Sequence, residues 1–112
     1  QTSGGTMYNQ RDIVLLPFPY SDLTGAKLRP ALIISNEKLN NSEDRMCCLI
    51  TSNKPKDGIL IQNLESGALP FKSWVKPHRI FTVHERIIKK RMCRVSASFH
   101  KEVLGKLNEY IV

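Results

Sequence analysis

The sequence predicts a mainly β fold: a small, strongly bent antiparallel sheet or barrel, followed by one C-terminal helix. Two observations predict it. Short apolar runs recur between clusters of Pro, Gly, Asn and Asp, which is the pattern of buried strands joined by turns. Near the C-terminal end the apolar positions change to helical spacing, at Phe99, Val103, Leu107 and Ile111. The chain has 112 residues, enough for one domain with a modest core, which we expect over residues 7–112.

The first two predicted strands flank a long loop. The first strand is Asp12 to Phe18, and the turn chemistry of residues 19–28 predicts a loop longer than a hairpin turn, which favours a functional or mobile segment. The second strand is the apolar run Ala31 to Ile34, short enough to be buried on both faces. Pro30 cannot donate a ladder hydrogen bond, so it belongs at the start of that strand. Arg29 is therefore expected where a rigid sheet begins.

After the second strand the chain alternates between polar segments and short apolar runs. A polar connector over residues 37–45 accommodates one helical turn around Leu39, Glu65-Ser66-Gly67 is typical of a turn, and Ser96 or Ser98 can cap the last helix. Pro77 is expected to separate two short strands. The basic run 89–94 indicates either a solvated turn or part of an anion-binding face. The remaining predicted strands cover residues 46–52, 59–61, 73–75 and 79–83.

The charge balance favours a phosphate-bearing partner. Lys and Arg number 17 against 10 Asp and Glu, for a formal net charge of +7. Such a surface attracts polyanions, and nucleic acid is favoured over membrane because no apolar run approaches the roughly 20 residues of a spanning helix. Solvated lysines that only keep the protein soluble are the alternative.

The cysteines and the first residues bear on the compartment. Cys47 and Cys48 are adjacent, so on a strand they point to opposite faces and cannot easily share a disulfide or a metal ion. With Cys93 they predict buried thiols in a reducing compartment. The sequence shows no secretion signal, so we expect a cytoplasmic protein. Gln1 to Thr6 have the composition of an expression remnant ahead of Met7.

Arg29 and Thr51 are the candidate reactive pair. RNA can be cut by its own 2′-hydroxyl, which requires a base, cationic donors for the charged phosphorane and an acid for the leaving 5′-oxygen. A guanidinium is a planar, permanently charged fork that suits phosphate oxygens. Thr51 ends an apolar strand, so its hydroxyl would lie beside Arg29 if the second and third strands pair. The alternatives are an exposed surface arginine and an ordinary strand threonine.

Three segments of the chain resemble a known family. D-I-V-L-L-P-F-P, K-L-R-P-A-L-I-I-S-N and C-C-L-I-T-S, in this order and ahead of a C-terminal helix, resemble the MazF/PemK toxins of bacterial toxin–antitoxin systems. The resemblance implies an SH3-like barrel of short, strongly bent antiparallel strands with a C-terminal helix, like that of MazF, PemK and CcdB, and a homodimer. It further implies a sequence-specific endoribonuclease that cleaves single-stranded RNA, often mRNA, without metal or cofactor. A cognate antitoxin with an extended acidic tail would block the RNA groove.

Carried over by position, the resemblance assigns site residues. The catalytic arginine falls on Arg29 and the hydroxyl of the I-T motif on Thr51. Aromatics can stack unpaired bases, and Phe18 and Tyr20, which flank the loop, are favoured for this over Trp74 and Phe81, which we expect in the core or a dimer contact. The full set of predicted RNA-binding residues is Phe18, Tyr20, Ser21, Asp22, Lys27, Ser52 and Arg79.

One segment departs from the family pattern. Many members have I-R-T-I-D or I-R-T-L-D, whereas this chain has Ile80-Phe81-Thr82-Val83-His84, which leaves the role of the segment and the cleavage sequence open. The general base is also open among Asp22, His78, His84 and Glu85. The alternative function is a non-catalytic toxin or binding module on the same barrel, such as a topoisomerase poison or a degenerate toxin that binds RNA. The pairing of Arg29 with Thr51 favours the enzyme.

Overall fold

A computed structural model describes residues 7–18 and 27–112, and these form one antiparallel sheet with a C-terminal helix. The strand order is β4-β6-β3-β2-β1-β7-β5, and the open ends make the sheet a curled half-barrel. This confirms the predicted fold class. In chain order the elements are β1 (Asp12–Pro17), β2 (Leu28–Ile33), α1 (Glu37–Asn40), β3 (Asp44–Thr51), β4 (Ile59–Leu60), β5 (Leu64–Gly67), β6 (Trp74–His84), a 3₁₀ turn (Glu85–Ile87), β7 (Lys90–Val95) and α2 (Ala97–Ile111).

The central strands are apolar on both faces because both faces are covered. Ile13, Leu32 and Cys48 belong to one buried cluster, which α2 completes with Phe99 and Val103. The alternate residues of the same strands form a second buried cluster on the opposite face, made of Val14, Leu16, Ala31, Ile33, Cys47, Val83 and Ile88. Strand alternation therefore separates the adjacent cysteines, as the sequence predicted.

The C-terminal helix begins where its cap predicts. The Ser96 hydroxyl oxygen accepts a hydrogen bond from the Phe99 backbone N–H at 3.1 Å, while the Ser98 hydroxyl lies 3.1 Å from that of Ser96. Ser96 is therefore the N-cap of α2.

Within residues 7–18 and 27–112, no helix combines the length and apolarity needed to cross a bilayer.

Two strand predictions are wrong around Pro77. Residues 73–75 and 79–83 do not form separate strands but lie in or next to the single strand β6. The ladder between β6 and β3 runs from Lys76, opposite Leu49, directly to Ile80, opposite Cys48, so the residues between them bulge out. Because Pro77 lies in this bulge, its missing N–H leaves no ladder hydrogen bond unmade, and the strand continues through the proline.

The predicted turn over residues 65–67 is wrong, and so is the solvated-turn alternative for the basic run 89–94, because both segments lie largely in strands. Residues 65–67 lie in β5, which pairs with β7. Gly67 has φ +76°, and a Cβ there would lie 2.6 Å from the Met92 carbonyl oxygen, so the glycine permits a close approach between strands. The basic run 89–94 lies largely in β7, which is paired on both sides, by β1 and by β5. Tertiary pairing decides both segments, because neither has a strong local strand pattern.

Arg45, which the sequence placed in the polar connector, is a buried strand residue. It lies in β3 and is completely buried. Its guanidinium donates to the carbonyl oxygens of Tyr8 (3.0 Å), Ser42 (2.8 Å) and Asp44 (2.8 Å) and lies 3.3 Å from Glu85 Oε1. These bonds join the start of the described chain, the connector and the 3₁₀ turn, so this arginine is structural. The predicted helical turn around Leu39 is confirmed as α1.

Candidate active site

The candidate site lies where β2 and β3 separate. Their ladder runs from Ile33 opposite Cys47 to Ala31 opposite Leu49. Beyond that pair β2 stays with β1 as far as Leu28, whereas β3 stays with β6 as far as Thr51. The two central strands are therefore held by different neighbours, and a gap opens between them at this end of the sheet.

Arg29 and Thr51 lie on the two sides of that gap. Continuing the register of the β2–β3 ladder by two residues sets Arg29 opposite Thr51. Residues opposite each other in antiparallel strands share a face of the sheet. Both residues line one cavity of about 300 Å³, together with Ser52 and Asn53 from the turn after β3. The segment before β6 closes the cavity with Leu69, Pro70 and Phe71.

The Arg29 guanidinium is available to a ligand. Arg29 is exposed, and its side chain has no hydrogen bond or ion pair with the described residues. Of the described residues that line the cavity, Arg29 alone carries a charge, so the cavity presents a positive potential. A fork of N–H donors that faces an open cavity without a carboxylate beside it suits an anionic ligand.

The Thr51 hydroxyl is oriented by the turn that follows it. Its oxygen accepts a hydrogen bond from the Asn53 backbone N–H at 3.1 Å and lies 3.4 Å from the Asn53 carbonyl oxygen. This local side-chain-to-backbone bond ends β3 and fixes the hydroxyl at the edge of the cavity. The hydrogen bond that the hydroxyl donates to the Asn53 carbonyl oxygen is long, so its single hydrogen can turn to a phosphate oxygen instead.

The other predicted RNA-binding residues are spread over the molecule. Ser52 lies in the cavity, and Lys27 is exposed next to the start of β2. Arg79 is exposed in the β6 bulge and Phe18 packs edge-to-face on Phe81, with 5.3 Å between ring centroids; neither lines the cavity. The three remaining predictions fall outside the described residues: Tyr20, Ser21 and Asp22.

The described candidates for the general base lie away from the cavity. His78 packs against the Tyr110 ring, and Glu85 pairs with buried Arg45. His84 lies 3.2 Å from Glu43 through Nε2, and its Nδ1 accepts the Arg86 N–H at 3.0 Å. The hydrogen bond from the Arg86 N–H caps the 3₁₀ turn. An aspartate side chain can accept the same bond, so His84 can replace the aspartate of the family pattern at this cap. The fourth candidate, Asp22, lies outside the described residues.

Phe71 is the cavity residue that sequence reasoning missed. It lies between Pro70 and Lys72 in a segment without periodicity, so no pattern marks it as buried or exposed. The available signal was an aromatic residue in the connection ahead of β6, next to Leu69 and Pro70. Among the described residues, no group of three or more His, Cys, Asp and Glu side chains could hold a metal ion.

Comparison with known proteins gives a family and a fold. Residues 9–111 match the family model of the PemK-like, MazF-like toxin of type II toxin–antitoxin systems. MazF from Deinococcus radiodurans superposes with a TM-score of 0.72 at 19% identity, over 94% of this chain and 96% of that chain. An endoribonuclease in complex with its cognate antitoxin, from Mycobacterial species, gives 0.72 at 16% identity over 91% and 92%. Mycobacterium tuberculosis toxin MazF-mt6 gives 0.67 at 17% over 87% and 91%. No curated protein sequence matches the chain.

Proposed function

Because this chain belongs to the PemK-like, MazF-like family of type II toxins, we propose that it is a sequence-specific endoribonuclease that cleaves single-stranded RNA. The observation that carries the proposal is the convergence of Arg29 and Thr51, from two separating strands, on one positively charged cavity. The proposed reaction uses the 2′-hydroxyl of the RNA and requires neither metal nor cofactor.

The proposed mechanism is an in-line attack of the 2′-hydroxyl on the adjacent phosphorus. The bond from phosphorus to the 5′-oxygen breaks, which leaves a 2′,3′-cyclic phosphate on one fragment and a 5′-hydroxyl on the other. Arg29 donates to the non-bridging oxygens as their negative charge grows, and Thr51 donates to the same phosphate and orients it. Water in the cavity takes the proton of the 2′-hydroxyl and returns one to the leaving 5′-oxygen, while the Arg29 guanidinium stays charged throughout.

The proposed partners follow from charge and from the family. One structural neighbour carries its cognate antitoxin, and a net charge of +7, with Arg29 as the charged residue among the described residues that line the cavity, favours an acidic peptide there. We therefore propose that an antitoxin with an extended acidic segment inhibits this chain by covering the cavity of Arg29. We also propose a homodimer that acts in the cytoplasm, where mRNA is available.

The test is cleavage of a long single-stranded RNA by the purified protein in EDTA. We expect discrete fragments with 2′,3′-cyclic phosphate ends, and no cut where the nucleotide that supplies the 2′-hydroxyl is replaced by its 2′-deoxy form. Intact RNA would contradict the proposal. Tight RNA binding without any cleavage would instead favour a degenerate toxin that only binds RNA.

A further inference from the structure

We propose that Phe71 stacks on a base next to the scissile phosphate, and that the groove beside Phe71 selects that base. The inference rests on the proposed function and names the part of the protein that reads the RNA. Phe71 is 71% exposed, which is the largest exposed fraction of any aromatic residue in residues 7–18 and 27–112; Tyr110 follows at 52%. A single exposed apolar side chain is ordinary, so the argument depends on where this ring lies.

Phe71 lies between two concavities. It lines the cavity that contains Arg29 and Thr51, and it also lines a second, open groove of about 430 Å³. The second groove is lined by Ile61 and Gln62, among others, and by the same segment that closes the first cavity. An RNA strand whose phosphate binds Arg29 can therefore continue from the cavity over the Phe71 side chain into the groove.

The backbone that carries Phe71 is held in place. Ser73 is buried, and its hydroxyl donates to the Phe71 carbonyl oxygen at 2.8 Å. The Ile61 N–H in turn donates to the Ser73 carbonyl oxygen at 2.9 Å, which ties the segment to the groove wall. The ring is thus exposed on a fixed support, so little conformational entropy is lost when a planar ligand stacks on it.

The chemistry of the groove fits one nucleobase. A base has an apolar π-face and a polar edge, and single-stranded RNA is recognised by stacking on aromatic rings and by hydrogen bonds to base edges. Phe71, Leu69 and Ile61 supply the apolar surface. Gln62 is exposed at the same groove, and its amide offers both a donor and an acceptor to a base edge. We therefore assign stacking to Phe71 and base discrimination to Gln62.

The test measures binding of an RNA oligomer that spans a mapped cut site and carries a 2′-deoxy nucleotide at the nucleophile, so that it binds without being cut. For Phe71→Ala we expect Kd to rise about 5- to 150-fold, which corresponds to the ~1–3 kcal/mol of one base–aromatic stack. Phe71→Tyr should keep wild-type affinity because it keeps the ring. Tyr110→Ala, the next most exposed aromatic, is the matched control and should also bind as wild type does.

An abasic nucleotide at the flanking position completes a double-mutant cycle. It should weaken the wild-type protein at least as much as Phe71→Ala does, because it also removes the base edge that Gln62 binds, and the combined loss should be smaller than the sum of the two single losses. In Gln62→Ala the cutting rates of RNAs that differ only in the base at that position should converge, whereas the wild-type protein should prefer one base there. Additive losses, or wild-type affinity in Phe71→Ala while the wild-type protein cuts RNA, would overturn this inference alone. A wild-type protein that neither binds nor cuts RNA would overturn the proposed function and the inference together.

Discussion

Replacing Arg29 by alanine should remove cleavage and leave the fold intact. The side chain is exposed and has no partner among the described residues, so its loss leaves no buried group unpaired. We therefore expect the free energy of unfolding to change by no more than ~0.5 kcal/mol. The loss of transition-state stabilisation should be much larger, because one preorganised donor to a developing oxyanion contributes about 2.7–4 kcal/mol. We therefore expect kcat to fall about 10²- to 10³-fold.

Two further variants show which property of Arg29 matters. Arg29→Lys keeps the charge but loses the planar two-donor fork, so its rate should lie between those of the wild-type protein and Arg29→Ala. Arg86→Ala removes the same charge from an exposed arginine of the 3₁₀ turn, which does not line the cavity, and should cleave at the wild-type rate.

The assay is the initial rate of cyclic-phosphate formation at saturating RNA in EDTA, with urea unfolding of each variant measured in parallel. Wild-type cleavage by Arg29→Ala would refute the site assignment. Equal losses in Arg29→Ala and Arg86→Ala would show that only overall charge matters, and would refute the specific role of the guanidinium in the reaction.

Three predictions concern buried groups. Arg45→Ala should lower the free energy of unfolding by ~3–5 kcal/mol, because it leaves Glu85 and several carbonyl oxygens without their donor; a loss below ~1 kcal/mol in urea would contradict this. Burial lowers the pKa of His100 below its ordinary 6.5, so the folded state binds that proton less readily than the unfolded chain. The free energy of unfolding should then fall as pH drops below 6.5, by at most ~1.4 kcal/mol per pH unit, and His100→Gln should remove that part of the slope; an unchanged slope would refute the assignment. Burial raises the pKa of the Cys48 thiol to about 12, and all three cysteines are buried and free. Thiol reagents should therefore label the native protein slowly at pH 8 and the urea-unfolded protein completely; rapid labelling of the native state would contradict the burial.

The sequence predicted correctly those elements whose signals lie in adjacent residues. The apolar run Ala31–Ile34, the helical spacing after Ser96 and the cap itself are all encoded in adjacent residues, and all are confirmed. The errors at residues 65–67 and 89–94 have a common cause, because these segments pair with each other as β5 and β7, and a local pattern does not show a pairing between distant segments. The predicted strand break at Pro77 is wrong because a bulge depends on the register of the partner strand, which a single sequence does not show.

The candidate site was predictable only in part. The resemblance pointed to Arg29 and Thr51, and the expected pairing of their strands is present in the β2–β3 ladder. The separation of β2 and β3 past Ala31 follows from their pairing with β1 and β6, which the local sequence does not specify. Phe71 was missed for the same reason, since its position becomes informative only when the cavity wall is assembled from distant segments.

The divided support of the two central strands has a consequence for how the proposed activity can be tuned. Arg29 lies on the part of β2 that pairs with β1, and Thr51 lies on the part of β3 that pairs with β6, so the width of the opening depends on how β1 and β6 pack. A substitution under β6, remote from any substrate, would alter the distance between the two reactive groups without replacing either. The rate of the proposed cleavage should therefore respond to repacking of β1 or β6, and variants that differ there can differ in rate although they share Arg29 and Thr51.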